Sequence, residues 1–407
     1  MIGIGDVIIL IVALLAAAVF LNPRMLNWTT WRAIVTPLAS IIGSGFLVAG
    51  PILSHATGNW AWLAMMGLCA VGYFFGAIIR HNILHVEPLL NDHPTKLLRG
   101  IEGISNIALS LAYFVSVAYY LNLFSAFALR GGGIIDEFWI KVVATLVIIT
   151  IGLMGLLRGL RALERLETLA VGIKLSLIVA LCAGLFALTI LAINAGNFSW
   201  SPLEHETGLY EMQVLLGLVI LVQGFETSRY LGAEYSAEVR VSTMRKAQWI
   251  ATGVYLVFML LVTQYFTGEL PPDGGETQII DLLRPVGLLV APLIIVMALA
   301  SQLSAAVADL NGAGGLIAET SGKRFSVKTG YLVTAIFAIF VTWIGNIYEI
   351  ITLASKAFVL YYGLQSLQAT LSALRIGGKG RVLRALFFGF GVLLSLVIII
   401  FAVPAGV

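Results

Sequence analysis

Twelve apolar segments, each near the roughly 20 residues that cross a bilayer, leave this chain little room to fold anywhere but in lipid. They run over about 6–22, 33–56, 60–81, 103–128, 138–158, 167–194, 212–235, 247–268, 286–312, 330–346, 350–373 and 384–404. Charge content agrees, at 11% of residues against roughly 25% in a soluble domain. Lipid offers backbone amides no partners, so segments of this length span as helices. The expected class is an all-α polytopic membrane protein. The leader before the first segment, Met1 to Asp6, holds no Lys or Arg, which favours a retained helix over a cleaved signal peptide. Cys69 and Cys182 both lie inside segments and indicate neither a disulfide framework nor a metal site.

Basic residues alternate by loop. One set of loops carries Arg24 and Arg32; Arg80, Lys96 and Arg99; Arg158, Arg161 and Arg165; Arg240, Arg245 and Lys246; Lys323, Arg324 and Lys328; and Arg375, Lys379, Arg381 and Arg384. The opposite loops carry Arg130, Lys141 and Arg284, together with acids such as Glu204, Glu206, Glu211, Glu269, Asp273, Glu276 and Asp281. The positive-inside rule then puts the basic loops in the cytoplasm and both termini outside, in a bacterial inner or plasma membrane. The net charge of +3 reflects this topology and suggests no nucleic-acid partner.

Two segments are interrupted by glycine near mid-membrane, at Ser40-Ile41-Ile42-Gly43-Ser44-Gly45-Phe46 and Val222-Gln223-Gly224-Phe225-Glu226-Thr227. Irregular backbone at that depth is tolerated where it is enclosed by protein or lines a cavity. A pair of such breaks in corresponding places of two halves points to the binding site of a secondary transporter. The spacing predicts an extra helix and basic loop over 1–30, a five-helix repeat over 31–194 and an outer loop over 195–211. A second five-helix repeat follows over 212–373, then a basic loop and last helix over 374–407. Because five is odd, the second repeat enters the membrane inverted relative to the first.

These motifs carry a family resemblance. Ile42-Gly43-Ser44-Gly45-Phe46 with Pro51 resembles the first-helix motif of the amino acid–polyamine–organocation (APC) superfamily, and Gly224-Phe225-Glu226 followed by Gly232-Ala233-Glu234-Tyr235 resembles its sixth-helix pattern. Arg161 to Lys174 is similar to the stretch leading into its fifth helix. The resemblance covers about 31–404 and implies a leucine-transporter-like 5+5 inverted repeat with discontinuous helices one and six. The chain departs from the family by a helix gained before the core, one lost after it, and Ala233 in place of the first acid of the usual pair.

The candidate substrate-binding residues are Ile42, Gly43, Ser44, Gly45, Gly224, Phe225, Glu226 and Arg229. Unwound backbone at the first break would offer N–H groups and a helix N-terminus to a carboxylate, or its small residues serve only close packing. At the second break, carbonyls would face an amine; the resemblance implies that Phe225 gates the site, and the alternative is a Phe facing lipid. Glu226 and Arg229, three apart, form either a structural ion pair or a site in which Arg229 attracts an anionic group. The resemblance implies that Lys174 stands where sodium-coupled relatives bind sodium, making it the coupling residue with Asp309 as a partner. Its alternative is snorkelling to water. Lys356 is expected in the outer vestibule.

No nucleotide loop, nucleophile motif or metal cluster is visible, so neither an enzyme nor a cofactor is expected. An ion channel would call for a ring of repeated pore-lining motifs. The expected function is a secondary transporter of amino acids or related small amines and organic acids, coupled to protons, by alternating access. An exchanger and a sodium-coupled transporter of the same fold stay open, as do the substrate and the oligomeric state.

Overall fold

The structure, a computed structural model, describes residues 3–92, 95–158, 161–200, 208–232, 234–267, 270–271, 273–322, 324–376 and 380–405, without the side chains of Ser44 and of 158–168. Helices account for all the regular structure described: α1 (Ile4–Phe20), α2 (Thr29–Ser44), α3 (Phe46–Thr57), α4 (Ala61–His81), α5 (Lys96–Arg130), α6 (Glu137–Arg158) and α7 (Arg161–Asn194), then α8 (Leu209–Leu216), α9 (Ala237–Val262), α10 (Val290–Thr320), α11 (Val327–Ile344), α12 (Ile347–Ile376) and α13 (Arg381–Phe401), with shorter turns between. Several begin on side-chain caps set by the sequence. Thr95, Ser236 and Ser326 accept from the amides of Leu98, Val239 and Thr329 at 3.2, 3.5 and 3.1 Å.

Among the described residues, nine stretches are long and apolar enough to cross a membrane, with Ile4–Phe20 as a shorter apolar helix. The twelve expected segments map onto these. Thr29–Asp92 is continuous enough to hold two of them, and the segment expected over 212–235 is too broken to score as a helix. The chain is an integral, multi-pass membrane protein. Helix α5 lies centrally, packed on α10, α12, α11 and α6.

Helix α1 docks along α7. Glycines on α7 make the approach possible: a Cβ on Gly184 would lie 2.4 Å from Ile9 Cγ1, and one on Gly172 2.5 Å from Leu21 Cδ2. At the far end, the buried Asp6 carboxylate accepts from the Leu289 amide at 2.9 Å, tying α1 to the turn that opens α10. The first segment thus docks on the body of the protein along one face, leaving Leu10, Ile11, Leu14 and Leu15 exposed on the other.

The two breaks differ in size. At the first, only Gly45 separates α2 from α3; it keeps near-helical angles (φ −93°, ψ −23°), and the Ala49 amide still reaches its carbonyl at 2.8 Å. The second is far longer than the sequence suggests. Helix α8 stops at Leu216, a 3₁₀ turn covers Val219–Val222, Gln223 is extended, Gly224 sits at φ +115°, and 3₁₀ geometry continues through Phe225–Leu231.

Candidate substrate and coupling site

The two breaks meet. A Cβ on Gly224 would lie 2.6 Å from Ser40 Cβ and 2.7 Å from the Ile41 amide nitrogen, and one on Gly45 would lie 2.5 Å from the Leu221 carbonyl oxygen. Gly43 packs on α10, where a Cβ would fall 2.6 Å from Ala305 Cβ. These glycines let three elements close on one another. A leucine at Gly43 or Gly45 would therefore disturb packing as well as any site, and binding assays on such variants would not isolate the site.

Side chains from neighbouring helices satisfy the carbonyls around the first break. Lys174 on α7 donates to the Ala39 carbonyl at 2.7 Å and lies 3.4 Å from Ser304 Oγ on α10. The Tyr255 hydroxyl on α9 stands within reach of two carbonyls, Ile41 at 2.9 Å and Leu221 at 2.6 Å, and so bridges the two broken segments. Ser301 on α10 serves Gly43 at 2.8 Å and Ile42 at 3.2 Å. Ile42 is itself fully buried. Ser44 was also a candidate, and its side chain lies outside what is described.

Around the second break, Ser355 on α12 accepts from the Ile220 amide at 3.0 Å and donates to the Gly217 carbonyl at 2.6 Å. Gln223 Nε2 donates to the Tyr120 hydroxyl at 2.7 Å. Phe225 is buried and stacks on Tyr362 with ring centroids 5.1 Å apart, so it does not face lipid. Glu226 is fully buried, and one carboxylate oxygen accepts from the Gly224 amide at 3.0 Å and the Tyr362 hydroxyl at 2.8 Å.

The expected Glu226–Arg229 pair does not form. Glu226 curls back over the start of its own turn to take the Gly224 amide, while Arg229 extends the other way. Its guanidinium bonds Glu102 on α5 at 2.9 Å, lies 3.6 Å from Glu87 and bonds Gln365 on α12. Arg240 holds Glu87 at 2.7 Å and the Arg229 carbonyl at 2.7 Å, completing a network of two buried arginines and two half-buried carboxylates. Arg229 is thus neutralised by protein carboxylates.

Asp309 is fully buried and accepts from Ser116. Lys174 is also fully buried, which removes the snorkelling alternative. Lys356 lines a groove with Glu349, Thr352 and Pro404. Tyr255, Ser301, Ser304, Ser355 and Tyr362 were not singled out beforehand as carbonyl or carboxylate partners, because each works through a contact that only the tertiary fold creates.

Among the described residues, four buried polar atoms near the second break have no hydrogen-bond partner: Ser40 Oγ, Gln223 Oε1, Glu226 Oε1 and Ser228 Oγ. Two are pure acceptors, and the two hydroxyls can accept. A cavity approaches this region from one face. About 440 Å³ in volume, it runs from the exposed Arg32, Glu234 and Glu319 inward to Thr227 and the buried Tyr113, opening on the face that carries the basic loops. On the opposite face, Arg130 at the end of α5 bonds Asp281 of the loop before α10.

A core built on two glycine-broken segments, braced by hydroxyls and a buried lysine and entered by a cavity from one face, is the architecture of a membrane transporter. The chain belongs to the APC superfamily of transporters, whose family model matches residues 23–402. It is 42% identical over 356 residues to an uncharacterized protein of Aquifex aeolicus (strain VF5), covering 86% of each chain. Among solved structures it is similar to MhsT in complex with L-phenylalanine, at 15% identity and TM-score 0.58, over 92% of this chain and 99% of that one. It is also similar to a sodium-coupled sialic acid symporter in a substrate-bound outward-open state, at 15% identity and TM-score 0.50, over 99% of both chains. The fold is the leucine-transporter-like 5+5 arrangement with two discontinuous helices, one helix added before it and one after. Helix α1 lies before the stretch that the family model matches.

Proposed function

We propose that this protein is a proton-coupled secondary transporter of amino acids or related small amines, working by alternating access in a bacterial inner membrane. On this reading the repeats run over 31–194 and 212–373, the basic loops face the cytoplasm and both termini face outward. The observation that carries the proposal is Lys174: a fully buried ammonium placed between the Ala39 carbonyl of the broken helix and Ser304 of α10. A carbonyl and a hydroxyl flanking a positive charge make a cation site, and here the protein's own ammonium supplies the cation. Loss and return of its proton would alter the tie between α7, α2 and α10, with Asp309 on α10 as the expected partner in proton transfer. The 440 Å³ cavity then corresponds to the inward-facing arm of the cycle, with Arg130–Asp281 holding the outer face shut.

The substrate reading rests on the unpaired acceptors. Glu226 Oε1, Gln223 Oε1 and the hydroxyls of Ser40 and Ser228 favour a ligand end rich in donors, which describes an ammonium group. Arg229, spent on Glu102 and Glu87, is withdrawn as an anion anchor. Ile42, Gly43, Ser44 and Gly45 would then face the carboxylate end of an amino acid, and Gly224 and Phe225 the amine end.

Replacing Glu226 with glutamine keeps the volume and removes the charge. Its expected effect is at least about tenfold weaker binding of an amine substrate, since a hydrogen bond to a charged group contributes about 1.5–3 kcal/mol. A thermal-shift screen of amino acids, amines and organic acids finds the ligand, and titration of wild type and Glu226→Gln measures the difference. Equal affinity in the two proteins, or stabilisation by organic acids alone, would overturn the amine reading. Uptake that requires sodium would favour instead a coupling like that of the sodium-coupled sialic acid symporter.

A further inference from the structure

A second cavity lies on the outer face, away from the broken segments. It has a volume of about 250 Å³ and is formed where the end of α5, the start of α6, the loop before α10 and the start of α12 converge. Its charged lining consists of Glu137 and Lys141 from α6 with Asp273 and Glu276 from the loop. Glu137 and Lys141 pair with each other at 2.8 Å, and nearby Arg130 is engaged by Asp281. Among the described residues Asp273 forms no ion pair, and Glu276 has only the electrostatic pull of Arg130, which Asp281 shares.

Glu276 is 5% exposed, and burial pushes its carboxyl up, with its own backbone amide and then Arg130 pulling the other way and Glu137 and Asp273 adding to the rise. A second and independent sign comes from α12. Tyr348, 5% exposed, lines the same space, and its hydroxyl has no hydrogen-bond partner. That hydroxyl lies against Gly275, between the two acidic loop residues; a Cβ on Gly275 would fall 2.3 Å from it. A carboxylate and a hydroxyl buried together in a lined cavity have given up their solvation, and a donor-bearing cation would restore it.

We infer that this cavity is a second, outer binding site for a small organic ammonium ion, held by the carboxylates of Glu276 and Asp273 with the Tyr348 hydroxyl as a further acceptor. Among the described residues no three His, Cys, Asp or Glu side chains converge tightly enough to hold a metal. An anion would meet two carboxylates. The volume, just below the range of drug-sized pockets, suits a ligand of a few heavy atoms. Contacts to the loop, α6 and α12 together would fasten the outer loop over the end of α5, so an amine bound here favours the outward-closed form.

Isothermal titration of the purified full-length protein with n-butylammonium chloride tests this, with n-butanol as the uncharged control. The titration is run on the Glu226→Gln background, which weakens the central site at least about tenfold and so separates the two sites. Saturable binding of the ammonium and none of the alcohol is expected, weakened at least about tenfold by adding Glu276→Gln and several-fold by adding Tyr348→Phe. Asp273→Asn provides a separate variant should Glu276→Gln fold poorly, and it too is expected to weaken binding. Absence of binding on the Glu226→Gln background, equal binding of the alcohol, or isotherms unchanged by these loop and Tyr348 substitutions would overturn the outer site. A wild-type isotherm identical to that of Glu226→Gln would overturn only the central amine reading.

Discussion

Replacing Gly224 with alanine is expected to lower the melting temperature by several degrees and to abolish substrate binding, although it adds a single methyl group. Two costs add. At φ +115° the backbone occupies a region that L side chains rarely adopt, which costs an alanine more than about 1 kcal/mol. The methyl would also sit 2.5 Å from Ser40 Oγ, 2.6 Å from Ser40 Cβ and 2.7 Å from the Ile41 amide nitrogen. Ser40 Oγ could rotate away, but a backbone nitrogen inside α2 cannot yield without moving the helix. Overpacking of this kind costs about 1–3 kcal/mol, for a total on the order of 3 kcal/mol. Gly253→Ala is the matched control, because Gly253 lies within α9 and its Cβ would meet nothing within 4 Å. Thermal unfolding in detergent checks the pair, and a Gly224→Ala protein as stable as Gly253→Ala would refute the close contact between the two breaks.

The second large effect is expected at Arg229. Its side chain is 4% exposed and holds Glu102 at 2.9 Å, Glu87 at 3.6 Å and Gln365. Removing one member of a buried pair costs about 3–5 kcal/mol, because the partner charge is left uncompensated. Arg240 still holds Glu87, and the Glu102 side chain keeps 20% exposure, which places Arg229→Ala near the lower end, about 3 kcal/mol. Lysine would keep the charge but not the planar fork that reaches two partners, so Arg229→Lys should recover only part of the loss. The network also joins the unwound second segment to α5 and α12 on the side where the 440 Å³ cavity opens. Denaturant or thermal unfolding of both variants gives the comparison, and wild-type stability in Arg229→Ala would contradict the network.

The positions of the breaks were legible in the sequence, because few apolar helices tolerate Gly-Ser-Gly or Gln-Gly at mid-span without a reason. Their extents were not. Gly45 keeps helical angles because its neighbours, Ser301 and Tyr255, cap the carbonyls around it without requiring further unwinding. In the second segment Ser355 takes up backbone groups that the unwinding releases, while Tyr120 and Tyr362 hold the Gln223 and Glu226 side chains beside it. Those partners lie about a hundred or more residues away along the chain, and nothing local in the sequence names them. The same distance explains Glu226 and Arg229. Spacing put them on one face, yet Glu87, just after the segment over 60–81, and Glu102, just before the one over 103–128, compete for the arginine and win. Lys174 was found through family resemblance, and the burial that makes it informative required the fold.

Lys174 decides whether transport is coupled to protons. The most direct measurement follows substrate uptake and internal pH together in proteoliposomes, for wild type and Lys174→Ala, under an imposed pH gradient with and without sodium. Wild type is expected to accumulate substrate with protons and without sodium. Lys174→Ala should still bind substrate but neither concentrate it nor move protons, with a rate that no longer follows pH. Uptake by wild type that requires sodium and ignores the pH gradient, or a Lys174→Ala protein with the wild-type pH profile, would contradict proton coupling through Lys174.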